Sequence, residues 1–453
     1  MHRDGTGTAA GALAILFTAA AVVVVEGRVA SVWSLLCHEW PWHDLGLGRA
    51  GAALLPGFAV HAAGWLALLR LRGQRAIATA LILFSLSCLL LQAGSVWHEP
   101  NGLGTVARRV ESAMSTSYYT DALRVQGVGS FLREFHRTPL HLHSATHPPG
   151  PILFYRSWIG AAGAPSAAAA GGWTVAALAA GVVPLLYLLA GRWTSVPVER
   201  GAAAALWSVL PSIVVFVPEF DQLYAGFTVG LLVSWHAALE GGRRAPWLFG
   251  GLLAISLFFA WNFLALGLFF LISALLRGLG APDRARFGLG LARVAGIALA
   301  ANVVLYTALF VVSGYRPLAA FLSAHAAQQR LVDLGRICPP PYSFVNAPVD
   351  LALGLGAGVL VLWIAAVLAT LRRTPDGAER LWTLTGAATL VTLLVAGWMP
   401  QELARVWIFA FPLAVVPAGL TLARLRPSLR YSFLVLHGLF LAALVANMRF
   451  VDV

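Results

Sequence analysis

Residues 76–96, AIATALILFSLSCLLLQAGSV, form an unbroken apolar run without a charged side chain. A helix crosses the apolar core of a bilayer in about 20 residues, so this run is long enough to span it. Twelve similar runs, two of them short, lie near residues 9–25, 50–69, 167–190, 201–217, 223–239, 247–259, 263–276, 287–312, 349–371, 381–398, 406–422 and 431–447. The sequence therefore predicts an all-α, polytopic transmembrane helical bundle of about 13 spans, forming a single integral membrane domain over residues 1–453.

The composition agrees with a membrane location. Of the 453 residues, 59% are hydrophobic and 11% are charged, whereas a soluble domain carries about 25% charged residues. These values exclude a soluble enzyme, a disordered tail and a secreted disulfide scaffold. The 31 basic residues are all arginine and contribute to a formal net charge of +12, but they lie in small groups between the apolar runs. We therefore expect the lipid bilayer as a partner and no nucleic acid, which would need a clustered basic face.

The arginines also indicate how the chain is oriented. With a cytoplasmic N-terminus, the short loops on the inner side carry most of the arginines, in agreement with the positive-inside rule. Thirteen of the 19 acidic residues and eight of the 12 histidines then fall in outer segments. The sequence thus predicts a multi-pass protein of a bacterial-type plasma (inner) membrane, with its polar chemistry and active site at the outer face.

Two predicted outer segments are long, residues 97–149 and 313–348. Loops of this length are usually functional or disordered. The first contains aromatic residues at the spacing of a helix, so we expect interfacial helices that lie on the membrane surface.

The most distinctive motifs lie in the first of these loops: YYTDA at 118–122, FLREF at 131–135 and THPPGP at 146–151. Each proline biases the preceding residue toward extended backbone, so the last motif cannot begin inside a helix. It presents His147 at the membrane surface. Asp121 lies far enough upstream for the chain to fold back and meet it.

These motifs resemble the outer loop of the GT-C superfamily of membrane glycosyltransferases, which includes the protein mannosyltransferases and the aminoarabinose transferases. In that family an acidic residue beside tyrosines precedes a Pro-Pro element that opens an interfacial helix. PEFDQLY at 218–224 is similar to the family's second outer acidic motif. The resemblance covers roughly residues 110–280, including a hairpin around Trp261-Asn262, and extends more weakly to ELARVW at 402–407.

The resemblance implies a GT-C-like fold and the inverting transfer of a sugar from a polyprenyl-phosphate donor to a lipid, glycan or protein acceptor at the outer face. Such a reaction needs a carboxylate that deprotonates the acceptor hydroxyl or holds a divalent cation, Mg²⁺ or Mn²⁺, on the leaving phosphate. It also needs a cation that binds this phosphate, and the planar fork of arginine suits that role.

Seven residues are candidates for these roles. The predicted catalytic residues are Asp121, with Glu134 in reserve, and His147. The predicted phosphate-binding and donor- or metal-contacting residues are Arg405, Arg330, Asp221 and Glu219.

Alternatives to these residues stay open. In most members of the family the acidic motif directly follows the first span, where this chain has CHEWPWHD at 37–44, so Glu39 or Asp44 could supply the catalytic acid. Glu402 and Arg405 are one helical turn apart and could simply form a local ion pair.

Other functions also remain to be weighed against a transferase. A polytopic transporter or flippase would be expected to carry charged residues in mid-span and repeat symmetry, neither of which is evident in the sequence. A non-catalytic membrane assembly factor and a different lipid-modifying transferase are further alternatives.

Overall fold

Helices account for every regular element that the structure describes. The structure is a computed structural model, and it describes residues 5–27, 43–70, 73–333, 342–372, 377–397 and 402–449, with no β-strand among them. The longer α-helices are Gly5–Glu26, Leu47–Arg70, Gln74–Trp97, Gly150–Ala162, Ala164–Ala190, Pro197–Ser208, Asp221–Leu239, Ala245–Phe259, Leu266–Gly280, Arg284–Ser313, Pro317–Asp333, Tyr342–Leu355, Ala357–Arg372, Ala378–Val395, Pro412–Arg424 and Pro427–Asn447. Short α-helices are Thr105–Glu111, Tyr118–Ala122, Val128–Glu134, Leu142–Ala145, Pro211–Val215 and Leu403–Val406, and 3₁₀ turns cover Gly102–Gly104, Phe135–Arg137, Trp261–Ala265 and Trp407–Phe409.

Seven helices in the described part of the chain are long and apolar enough to cross a bilayer. They are Gly7–Glu26, Leu47–Arg70, Gln74–Trp97, Ala164–Ala190, Trp261–Gly280, Arg284–Ser313 and Pro427–Asn447. Two bent pairs raise the number to nine if each pair is one span: Asn346–Leu355 with Ala357–Arg372, and Leu403–Phe409 with Pro412–Arg424. The protein is therefore a multi-pass, all-helical membrane protein. The total of 13 spans stays a prediction.

Several predicted spans form helices that are broken, short or rather polar. The run at 201–217 is divided at Leu210 into two helices. Ala245–Phe259 has only 15 residues, and Asp221–Leu239 begins with Asp-Gln and contains His236 near its end. Such helices need neighbours to cover their polar groups, because lipid cannot hydrogen-bond to them.

Small residues allow close packing at the centre of the bundle. Gly419 lies so close to the backbone of Ala203 that the Pro412–Arg424 and Pro197–Ser208 helices touch almost directly. Small residues at helix interfaces allow this close approach in membrane proteins. The Arg284–Ser313 helix is peripheral by comparison, since most of its side chains are exposed.

Polar residues gather at two opposite ends of the bundle. At one end, Arg424 donates to Glu199 at 2.9 Å and to Glu379 at 2.6 Å. At the other end, Arg405 pairs with Glu219. The bent span that begins at Leu403 and ends at Arg424 joins the two, so we name them the Arg405 end and the Arg424 end. Which end faces the cytoplasm stays a prediction.

The long loops lie at the Arg405 end. Between Trp97 and Gly150 the chain forms the four short α-helices given above, and the Gly150–Ala162 helix follows His-Pro-Pro as the proline motif predicts. The second segment, 313–348, contributes the Pro317–Asp333 helix.

Candidate active site

A buried cluster of carboxylates surrounds one guanidinium group at the Arg405 end. Arg405 Nη1 lies 3.3 Å from Glu219 Oε2, and Nε lies 3.9 Å from Asp221 Oδ2. Its Nη2 contacts Glu402 Oε2, so the local ion pair is present as well. The side chains of Arg405, Glu219 and Asp221 are at most 7% exposed. We call these four residues the carboxylate cluster.

Breaks in the helices bring these side chains together. Glu219 lies in the turn that follows Pro211–Val215, and Asp221 is the first residue of the next helix, where a negative charge is favoured by the helix dipole. Arg405 lies in the short helix Leu403–Val406, and Glu402 before it has a φ of 51°. A left-handed backbone is uncommon for a residue other than glycine, and such conformations concentrate at functional sites.

Burial perturbs the acidity of Glu219. It raises the pKa of this carboxyl to about 7, although Arg405 and the hydroxyl of Ser115 both act in the opposite direction. Ser115 Oγ donates to Glu219 Oε1. A carboxyl group with a pKa near neutral is suited to accept and release protons, as a general base must do.

Tyrosine and histidine rings cover one side of the cluster. Tyr118 is 2% exposed, and its ring centroid lies 5.8 Å from that of Phe220, between the two acids. The same ring lies 5.4 Å from His143 and 5.5 Å from His147. Tyr118 thus connects the first long loop to the carboxylate cluster.

His147 is a neutral member of this group. Burial lowers its pKa to about 4, and its ring stacks on that of His143 with centroids 4.9 Å apart. Because Nδ1 lies 3.0 Å from the carbonyl oxygen of His143, which can only accept, Nδ1 carries the proton and Nε2 is an acceptor. His147 can therefore bind a hydroxyl or position one, but it carries no charge near neutral pH.

Asp121 contacts His141 rather than His147. Its carboxylate accepts from His141 Nδ1 at 2.8 Å and from the His141 backbone N–H at 3.2 Å, while Arg124 lies 3.5 Å away. The backbone bond holds His141, the residue directly before the Leu142–Ala145 helix. Asp121 is thus buried within the loop and fixes its shape.

The other sequence candidates lie apart from these contacts. Glu134 and Arg330 are exposed, and Arg330 Nε bonds to the carbonyl oxygen of Ala326 in its own helix. Asp44 is also exposed, and Glu39 lies outside the described residues.

Sequence reasoning missed a second buried ion pair beside the cluster. Arg109 Nη2 lies 2.8 Å from Glu99 Oε1, and Arg109 Nη1 donates to the carbonyl oxygens of Val215 and Val217. Arg109 therefore supports the backbone that presents Glu219. The sequence did contain a signal for this pair: Glu99 closely follows the apolar run 76–96, and Arg109 lies ten residues later.

The cluster does not fit a divalent cation. Glu219, Asp221 and Glu402 are directed at the guanidinium of Arg405, which occupies the position between them. No group of three histidine, cysteine, aspartate or glutamate side chains in the described part of the chain is arranged to hold a metal. We therefore derive no step through Mg²⁺ or Mn²⁺.

An apolar cavity of about 190 Å³ reaches the short helical segment that follows Arg405. Trp407, two residues after Arg405, lines it together with Trp363, Leu394 and Phe411. Its walls come from both bent helix pairs and from the Ala378–Val395 helix. A site for a lipid tail needs such a surface, since apolar groups leave water for apolar surroundings.

Comparison with known proteins gives no relative from which a function could be transferred: no protein-family model matches the chain, and no curated protein matches it.

Proposed function

We propose that this protein is a membrane glycosyltransferase that moves a sugar from a polyprenyl-phosphate donor to an acceptor hydroxyl at the Arg405 end, with inversion at the anomeric carbon. The observation that carries the proposal is the carboxylate cluster, in which buried acids surround an arginine. Trp407, two residues after this arginine, lines an apolar cavity. A lipid-linked sugar phosphate has a matching division into an anionic, polar head and an apolar tail. The GT-C resemblance of the sequence supports the same reaction class.

Arg405 is the phosphate-binding residue in this proposal. A guanidinium can form two parallel hydrogen bonds with phosphate oxygens. Because Arg405 pairs with three acids, donor binding has to exchange part of these contacts for contacts with phosphate. The partly exposed Glu402 is the partner that can move most readily into solvent, since its side chain is 34% exposed.

Glu219 and Asp221 are the candidate general bases. The base takes the proton of the acceptor hydroxyl while that oxygen forms a bond to the anomeric carbon. The bond between this carbon and the phosphate oxygen breaks, and polyprenyl phosphate leaves with the electron pair, its charge held by Arg405. Of the two acids, Glu219 has a pKa near 7, which suits proton transfer at neutral pH.

Transfer and transport can be separated in one experiment. The purified protein is reconstituted in vesicles with a panel of radiolabelled polyprenyl-phosphate sugars and detergent extracts of membrane acceptors. The proposal predicts that label moves to an acceptor and that free polyprenyl phosphate appears in equal amount. Movement of intact donor between leaflets without release of polyprenyl phosphate would identify a flippase instead.

A further inference from the structure

A second polar cluster lies at the Arg424 end, away from the carboxylate cluster. It consists of Arg192, Trp193, His236, Glu240, Arg277 and Trp382, and we call it the Arg277 cluster. His236 Nε2 lies 2.9 Å from Glu240 Oε1, and Arg277 Nη2 lies 3.3 Å from His236 Nδ1. Arg192 Nη1 lies 3.7 Å from Glu240 Oε2.

The positive charges of the cluster outnumber its negative charges. Since a guanidinium can only donate, His236 accepts from Arg277 at Nδ1 and donates to Glu240 from Nε2, so the imidazole is neutral. Glu240 is then the single anion shared by the two arginines. The six residues together carry one net positive charge.

Two indole N–H groups of the cluster have no acceptor among the described residues. Trp382 is 2% exposed, and its Nε1 lacks a hydrogen-bond partner, as does the buried Nε1 of Trp193. The two ring centroids are 6.4 Å apart, and the guanidinium carbon of Arg277 lies 6.0 Å from the Trp382 ring centroid. A buried donor without an acceptor costs about 1–3 kcal/mol, so these two N–H groups favour a ligand that brings an acceptor to them.

The helix that carries Arg277 faces lipid on its opposite side. Leu271, Leu275 and Leu279 of the Leu266–Gly280 helix are each more than half exposed. They lie about half a turn around the helix from Arg277, so this helix borders the membrane and Arg277 lies on its inner side. Arginine at this end agrees with the charge bias of short loops, but that bias does not account for the buried indole donors. Basic pockets between membrane helices bind anionic lipid headgroups through these same elements.

We infer that the Arg277 cluster binds the phosphate of an anionic phospholipid headgroup. The phosphate oxygens accept from Arg277, Arg192 and the indole N–H groups. This site is independent of the proposed transferase activity, since it lies at the other end of the bundle. Trp382, packed on Phe269 with ring centroids 5.2 Å apart, is the fixed wall of the site.

The test uses the full-length protein in nanodiscs of phosphatidylcholine with increasing phosphatidylglycerol, and native mass spectrometry counts the lipids that remain bound. We expect wild type to retain phosphatidylglycerol, and Arg277→Gln and Trp382→Phe to bind it about tenfold more weakly, the effect of losing one charge-assisted hydrogen bond. Trp382→Phe keeps the aromatic packing and supplies the answer if Arg277→Gln does not fold. The matched control is Arg243→Gln, which removes the same charge from an exposed position near the same end.

Three results would overturn the inference. Equal weakening by Arg243→Gln would indicate charge attraction without a site. Equal retention of phosphatidylcholine and phosphatidylglycerol would show that the headgroup is not recognised. Displacement of the bound lipid by inorganic phosphate at the concentration that saturates the protein would identify a site for free phosphate.

Discussion

Glu219 has the most unusual surroundings of any acid in the carboxylate cluster. It is 1% exposed, receives a hydrogen bond from Ser115 and lies beside a guanidinium. Burial raises its pKa and the two contacts lower it, which leaves a value of about 7. A carboxylate acts as a base only when it is ionised, so the transfer rate should depend on pH near this pKa.

We predict that the transfer rate rises with pH and is half-maximal near pH 7, because Glu219 loses its proton there. Ser115→Ala removes a hydrogen bond that favours the ionised form, so the rising limb should move to higher pH. The measurement is kcat/KM across mildly acidic to mildly alkaline pH. Ser130→Ala is the control, since Ser130 is exposed and bonds only within its own turn. If Ser115→Ala does not shift the rising limb of the pH profile, Glu219 is not the general base.

Asp121 and Asp221 are predicted to respond differently to loss of charge. Asp121→Asn keeps an acceptor for His141 but loses the charge-assisted bond, so we expect the loop at 98–149 to become more sensitive to limited proteolysis. Transfer should fall only several-fold, whereas Asp221→Asn should lower it by about 10² or more. Complete loss of transfer in Asp121→Asn, with unchanged proteolysis, would restore Asp121 as the catalytic acid that the family resemblance implies.

Individual acids could be selected from the sequence, but their partners could not. Glu219 and Asp221 stand out because acids follow an apolar run there, and Arg405 because an arginine enters one. Their convergence joins positions 186 residues apart, and no local pattern encodes that pairing. For Asp121 the sequence indicated a folded-back loop with His147 as the partner, and that partner was wrong. The carboxylate contacts His141 instead, through both its ring and its backbone N–H.

At the level of helices, close contacts between small residues hold the centre together. Gly419→Ala would place a methyl group against the backbone of Ala203, and overpacking of this kind costs about 1–3 kcal/mol. We expect a lower melting temperature and less folded protein after detergent extraction, measured by fluorescence-detected gel filtration. Gly181→Ala is the matched control, because a Cβ at Gly181 meets no atom within 4 Å. Equal loss in both variants would mean that helix packing here is loose.

Hydropathy predicted where helices form but not where they bend. The runs at 349–371 and 406–422 read as continuous, yet the structure bends them by 105° and 91°. At the first bend Gly356 has a φ of 88°, which glycine adopts without strain, and His437 packs where a Cβ would lie. Hydropathy is insensitive to such a bend, since both arms remain apolar. These bends form the walls of the cavity beside Trp407, and so the sequence could not reveal the cavity.

Beyond single helices, transfer from a polyprenyl-phosphate donor requires a place for the lipid tail, and we expect the cavity to hold it. Leu394→Trp fills part of the 190 Å³ space and should raise the KM for a long-chain polyprenyl-phosphate sugar while leaving a short-chain analogue unaffected. Leu271→Trp, on an exposed membrane-facing position, serves as the control. If both donors lose affinity equally in Leu394→Trp, the tail lies elsewhere.

The membrane architecture was accessible from composition alone, because 59% hydrophobic and 11% charged residues exclude a soluble fold. The sequence predicted polar loops on both sides of the bundle, and the structure has polar groups at both ends. Glu219, Asp221 and Arg405 meet at one end, and Glu199, Glu379 and Arg424 meet at the other. The number of spans was less accessible, since helices buried among others tolerate polar residues and need not meet the length of a lipid-facing span.

Catalysis by the carboxylate cluster is best tested by single-turnover transfer from a radiolabelled polyprenyl-phosphate sugar, comparing purified Glu219→Gln and Asp221→Asn with wild type. Glu111→Gln is the control, since Glu111 is an exposed acid of the same loop region. We expect at least one cluster variant to lose about 10²–10⁴ in rate, the usual contribution of a general base. All variants should keep the wild-type melting temperature within a few degrees, and Glu111→Gln should keep the wild-type rate. Wild-type transfer rates in both cluster variants would contradict catalysis by the carboxylate cluster.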